Sequence, residues 1–174
     1  MSVFRLFVPK QSVGADLVYF DLFNASGSGS DLEILGVLPV YSGAVAVTGL
    51  VSIDLLLTRT SAVGTGGTAA TYGGVSTTAM TINGMAGGMC PALITARLTP
   101  SGGATAGAVI SWRSIFSEET ASSSHIPAVD MVKMGVADMP GLMVSVGSGL
   151  RVVQGAVASV GTVGFDVAFR LIRK

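Results

Sequence analysis

The sequence predicts an all-β chain folded as a single domain over residues 1–174. Three observations carry the prediction. Apolar residues alternate with small or polar ones in several runs, and side chains at every second position line one face of a strand. No window of helix length combines good helix formers, an N-cap and an apolar repeat of roughly 3.6 residues. Glycine, present 24 times, gathers with serine, threonine and alanine between the runs as turn punctuation.

The runs Val3-Phe-Arg-Leu-Phe-Val8 and Leu17-Val-Tyr-Phe-Asp-Leu-Phe23 are apolar at both parities, as strands are when both faces are buried. In a small β-domain the second face is most simply covered by a neighbouring subunit, or else by a helix or loop of the same chain. Phe4, Phe7, Val18, Phe20 and Leu22 are therefore the candidate interface residues. Next, Val45, Val47, Val51, Ile53, Leu55 and Leu57 share one parity in a long strand ending at Thr58-Arg-Thr60, with Gly49 at a bend or bulge. Ala108 to Phe116 reads as a half-buried strand with Ile110, Trp112 and Phe116 on one face and Ser111 and Arg113 on the other. Ala128 to Met139 comes nearest to a helix, but Val129, Val132, Gly135 and Val136 weaken it. At the carboxyl end Val163, Phe165, Val167, Phe169 and Leu171 alternate with Gly164, Asp166, Ala168 and Arg170. This strand and Leu150-Arg-Val-Val-Gln154 read as a hairpin joined through the small residues Gly155 to Gly161. About eight strands separated by turn signals fit a sandwich, jelly roll or barrel.

Charged residues make up 11% of the chain and hydrophobic residues 49%, against roughly 25% charged in an ordinary soluble domain. Apolar surface left in water marks contact sites, so an oligomer is expected. Ten basic and ten acidic residues cancel, and the arginines are scattered singly, which gives no electrostatic footprint for nucleic acid. The start Met1-Ser-Val-Phe-Arg-Leu-Phe7 lacks the features of a secretion signal, so synthesis in the cytoplasm is expected. Asn24-Ala-Ser26 then reads as the turn opening Ser26-Gly-Ser-Gly-Ser30 rather than as a glycan acceptor. Ile34 to Ile53 is uncharged and long enough to span a bilayer, but Gly36, Pro39, Gly43 and Gly49 break it, and no membrane association is expected.

Chemistry has few residues to work with. His125 is the one histidine, set among Ser122, Ser123 and Ser124, and adjacent residues rarely have triad geometry. Cys90 is the one cysteine; it excludes a disulfide framework and reads as a packed side chain. Together with His125 it is too few ligands for zinc. Glu118 and Glu119 are neighbours that point apart or into solvent, and Asp16, Asp21, Asp31, Asp54, Asp130, Asp138 and Asp166 show no calcium-loop or paired-carboxylate spacing. Gly64-Thr-Gly-Gly-Thr-Ala69 satisfies a loose dinucleotide fingerprint, but no helix follows to aim its N-terminus at a pyrophosphate. No catalytic residue, cofactor or metal is expected. Of eight methionines, Met80, Met85 and Met89 fall in one region and Met131, Met134, Met139 and Met143 in another. They serve as core filler or as an adaptable contact with partner subunits.

The segment Thr58-Arg-Thr-Ser-Ala-Val-Gly-Thr-Gly-Gly-Thr68, the segment Gly149-Leu-Arg-Val-Val-Gln-Gly155 and the ending Gly164-Phe-Asp-Val-Ala-Phe-Arg-Leu-Ile172 resemble the jelly-roll head decoration (cement) proteins of tailed bacteriophages. The resemblance implies an antiparallel β-sandwich of jelly-roll type with long Gly/Ser/Thr-rich loops. It also implies a structural virion protein, not an enzyme, forming a trimer or other small homo-oligomer bound to the major capsid protein or other virion proteins. No residue role carries over from it. An alternative is a receptor- or carbohydrate-binding sandwich of a phage tail or surface assembly; that reading calls for an aromatic groove, and 6% of residues are aromatic. A cupin-like enzyme would need several histidines.

Overall fold

The alternation at the carboxyl end organises the whole fold. The computed structural model describes residues 2–42, 51–74, 76–102, 106–117, 131–132 and 141–173. The described residues form twelve strands and no helix. The first four are β1 (Val3–Ser12), β2 (Val18–Asn24), β3 (Ser30–Ser42) and β4 (Val51–Thr60). Short strands follow: β5 (Thr68–Ala69), β6 (Thr71–Tyr72), β7 (Thr81–Gly84) and β8 (Ile94–Leu98). The last four are β9 (Ala106–Ser117), β10 (Leu142–Val144), β11 (Ser148–Gln154) and β12 (Thr162–Arg173).

Two six-stranded sheets pack face to face, the first in the order β10-β3-β12-β1-β7-β6 and the second β5-β8-β2-β11-β4-β9. Apart from the parallel pair β6 and β7, the described strand pairs are antiparallel. If β5 to β8 are set aside, successive strands alternate between the sheets, except that β4 and β9 pair within the second. The short strands extend both sheets on one side, beyond β1 and beyond β2.

Period two decides which side chains meet. In β12, Val163, Phe165, Val167 and Phe169 turn inward and are buried, as are Phe4, Leu6 and Val8 of β1 on the same sheet. The second sheet answers with Phe20 and Leu22 of β2, Ile53, Leu55 and Leu57 of β4, and Leu150 and Val152 of β11. Phe165 lies 5.4 Å from Phe20 and 5.3 Å from Tyr19, both tilted, within the preferred range for edge-on rings. Consecutive residues reach the same ring because β2 slips register against β11 between Val152 and Val153, a bulge that turns the extra side chain inward. The Tyr19 hydroxyl donates to Gln154 Oε1 at 2.6 Å. That oxygen also accepts from Gly14 N at 2.9 Å, and Gln154 Nε2 donates to Val157 O at 2.9 Å. One side chain thus joins the core to the two loops at that end and leaves the buried phenol satisfied.

Several expectations change. β11 and β12 do not form a hairpin: β11 lies between β2 and β4, and β12 between β1 and β3. Each has an inner face to bury and a neighbour on both sides, so Gly155 to Gly161 crosses from one sheet to the other. The faces of β9 are reversed, since Ser111, Arg113 and Ile115 stand opposite the inward residues Leu57, Leu55 and Ile53, leaving Ile110 and Trp112 exposed. Asn24 ends β2, and its Nδ2 donates to Ser30 O at 2.9 Å and Val144 O at 3.2 Å; it fastens the turn and is buried. Pro39 sits in β3 beyond the Leu32–Ile34 stretch that pairs with β10, where a missing N–H costs no ladder bond on that side. Val45, Val47 and Gly49 lie outside the described residues, as does most of Ala128 to Met139.

Removing the ring at the contact of the sheets leaves a cavity that the rigid flanking strands cannot close. Phe165→Ala is expected to cost about 3–5 kcal/mol, whereas Val157→Ala, in an exposed loop, stays within about 0.5 kcal/mol of the parent. Urea denaturation of both variants checks the difference.

Candidate assembly surface

The five candidate interface residues do not form one surface. Phe4, Phe20 and Leu22 are 2%, 1% and 1% exposed and belong to the core of their own chain. Phe7 and Val18 are half-buried. No neighbouring subunit is required to cover β2, because the chain covers it twice: the first sheet packs on its inner face, and a strap crosses its outer face.

The strap is the glycine-rich stretch between β4 and β5, joined by the residues that follow β8. Thr65 and Gly102 bridge the two segments, with Thr65 N donating to Gly102 O at 2.6 Å and Ser101 N to Thr65 O at 2.9 Å. Beneath them lies Asp21, fully buried on the outer face of β2. Its Oδ2 accepts from Gly64 N at 2.6 Å and its Oδ1 from Arg97 N at 3.0 Å. Arg97 and Arg151 stand opposite it on the two flanking strands, and Arg97 Nη1 donates to Gly66 O at 2.9 Å. A Cβ at position 64 would fall 2.5 Å from both Asp21 Oδ2 and Pro100 Cβ, so only glycine lets the strap approach this closely. Gly67, at φ +62, would meet the Leu98 carbonyl. The glycines that mimic a dinucleotide fingerprint therefore serve close packing, and the Gly64 N–H faces an internal carboxylate. Burial pushes the Asp21 carboxyl above its ordinary range, against the two backbone hydrogen bonds and the two arginines, which pull it down. The available sequence signal was an acid at an otherwise apolar position in a strand buried on both faces.

Apolar side chains do reach solvent elsewhere. The connection between β7 and β8 carries Met85 at 68% exposure and Met89 at 82%, with Leu93 also exposed. Met89 lines a cleft of about 800 Å³ together with Ser2, Phe4, Pro91, Leu171 and Arg173. Met80 and Met131, by contrast, are buried core residues, so the methionines divide between filler and surface. On β9, Val109 and Ile110 are exposed and Trp112 is 61% exposed. A third place is a groove of about 350 Å³ on the outer face of the first sheet, floored by Phe7, Pro9, Val40 and Gly164 and rimmed by Arg5 and Asp166, which pair with each other.

Among the described residues the titratable groups assemble into no reactive cluster. Cys90 is buried, and burial pushes its thiol up to about 12, so it stays protonated and unreactive at neutral pH. Among the described residues no three His, Cys, Asp or Glu side chains lie close enough to hold a metal ion. His125, Glu118 and Glu119 lie outside the described residues. No family model, no curated protein and no solved structure matches the chain.

Asp21→Asn keeps the size of the side chain but sets an amide N–H against a backbone N–H, and is expected to cost about 1–3 kcal/mol. Because the folded carboxyl holds its proton more tightly than the unfolded one, its contribution to stability is complete below the ordinary carboxylate range. That contribution is lost as pH rises through the raised folded value. The cost of the substitution should then be largest below the ordinary carboxylate range, under about pH 4, and shrink as pH rises above it. Urea titrations of both proteins across that range test this, and a pH-independent difference would contradict it.

Proposed function

We propose that the chain is a structural component of a virion: a decoration protein that attaches to the outside of a phage capsid as a small oligomer. The observation that carries the reading is the exposed apolar connection bearing Met85, Met89 and Leu93 at one end of the sandwich, beside an open cleft. Large apolar side chains held in water at one end suit a contact. Methionine is unbranched and flexible, so the same loop can settle on lattice sites that differ slightly in shape.

Magnitudes favour an oligomer. Burying those three side chains supplies at most about 6 kcal/mol, comparable to the roughly 4–15 kcal/mol that association costs. One copy attaches weakly; linked copies gain effective concentration on the shell. A formal net charge of zero leaves little long-range repulsion between neighbouring copies.

The orders β10-β3-β12-β1 and β2-β11-β4-β9 support the jelly-roll part of the reading, with β5 to β8 as an insert that adds strands to both sheets. Jelly rolls serve capsid, lectin and cupin domains alike, so strand order supports the architecture and carries no function alone.

Trp112 favours a second reading. An exposed indole on a sheet face is a stacking platform for a sugar ring. Phe4, Tyr19, Phe20, Phe165 and Phe169 are all in the core, which leaves that platform without these rings as neighbours. Glycan-array binding that is lost in Trp112→Ala would favour carbohydrate recognition over attachment to a shell.

Both methionines are exposed, so a Met85→Glu, Met89→Glu variant should fold with an unchanged urea midpoint. It is expected to co-sediment with particles from its native source at least about tenfold less than the parent, a loss of about 1.4 kcal/mol or more. Parent protein that stays entirely in the soluble fraction would contradict the decoration role.

A further inference from the structure

We propose that β9 pairs along its outer edge with β9 of a second copy, joining the two second sheets into one continuous sheet across a two-fold axis. The four sheet edges are unequal. β5 and β6 have two residues each and β10 has three, whereas β9 has twelve. Short edge strands are one way that proteins avoid unwanted pairing; lysine, proline and bulges are others. β9 contains no lysine and no proline, and Arg113 is its single charge. Its register shifts against β4 fall between Leu57 and Thr60, leaving Ser111 to Ser117 matched one for one with Leu57 to Val51. Among the described residues no strand pairs with the other side of this stretch, and they leave a regular row of backbone donors and acceptors along it.

The edge also specifies its occupant. A two-fold antiparallel pairing sets residue against residue about one centre. With one charge in the strand, any centre other than Arg113 places that guanidinium opposite a neutral residue. A second copy therefore meets the edge without like-charge repulsion, whereas an unrelated partner chosen for Arg113 would bring an acidic strand. Exposed Val109, Ile110 and Trp112 add apolar surface beside the backbone ladder. Seven residues span about 24 Å, and a strip about 10 Å wide along them buries well under the roughly 800 Å² per partner of a standard stable interface. The pairing is accordingly weak and concentration-dependent on its own. It deepens the reading of the chain as an assembling protein, but uses a surface separate from the methionine-bearing connection.

Light scattering and hydrogen exchange on the full chain test it, from about 1 μM to several hundred μM, a span of roughly 3 kcal/mol in occupancy. The weight-average mass should rise from 17.5 kDa toward twice that value, and exchange at amides within Ser111 to Ser117 should slow at least fivefold over the same range. Trp112→Lys with Ser114→Lys, both exposed positions, should remain at the monomer mass with unchanged circular dichroism. The Met85→Glu, Met89→Glu variant should dimerise like the parent. A constant 17.5 kDa at every concentration overturns the pairing and, with it, self-assembly through any surface. Self-association that leaves β9 exchange unchanged and tolerates the lysines overturns the β9 assignment alone. A bound acidic strand in place of the second copy overturns the choice of occupant.

Discussion

The contact of Phe165 with Tyr19 and Phe20 holds the two sheets together, and the rest of the structure depends on it. Phe165 belongs to β12, which runs between β1 and β3, and Tyr19 and Phe20 belong to β2, which runs between β8 and β11. Strands that alternate between sheets must each bury one face across this line. The same residues anchor the polar groups: the Tyr19 hydroxyl holds Gln154, which holds two loop backbones. If the sheets parted here, a buried amide and a buried phenol would lose their partners together with the apolar core.

So few charges first find an intramolecular explanation. The strap removes the outer face of β2 from water, and a buried acid pins it at a place where glycine alone fits. Burying a carboxylate is costly unless it is hydrogen-bonded and has counter-charges nearby; Asp21 has both. Among the described residues, solvent-facing apolar surface is left at the ends of the sandwich, along β9 and in the groove on the outer face of the first sheet.

Much of this was legible in the residues. The period in β12 shows plainly because that strand has one buried face and one face carrying Asp166, Ala168 and Arg170, so burial and polarity agree. The run in β2 shows burial of both faces, but not whether a neighbouring subunit or a loop of the same chain is the cover; it is the loop, since what covers a face is a matter of tertiary placement, and the strap is about forty residues away in sequence. The β9 faces were misread for a related reason: Trp112 and Ile110 are large and apolar, yet β9 is the last strand of its sheet, and position in a sheet overrides propensity. The apparent hairpin of β11 and β12 failed because small residues permit a crossing between sheets as readily as a tight turn. Surface methionines and core methionines carry the same letters, so Met85 and Met80 could be told apart only by the fold.

The role proposed for the chain is that its methionine-bearing end seats on a shell while its core remains self-sufficient. Electron cryo-microscopy of native particles tests this most directly. The account predicts sandwich-shaped density on the outer surface, with the 85–93 connection against the shell and β2 enclosed within its own subunit. Particles without such density, or a subunit seated through the opposite end at Val157 and Val160, would contradict it.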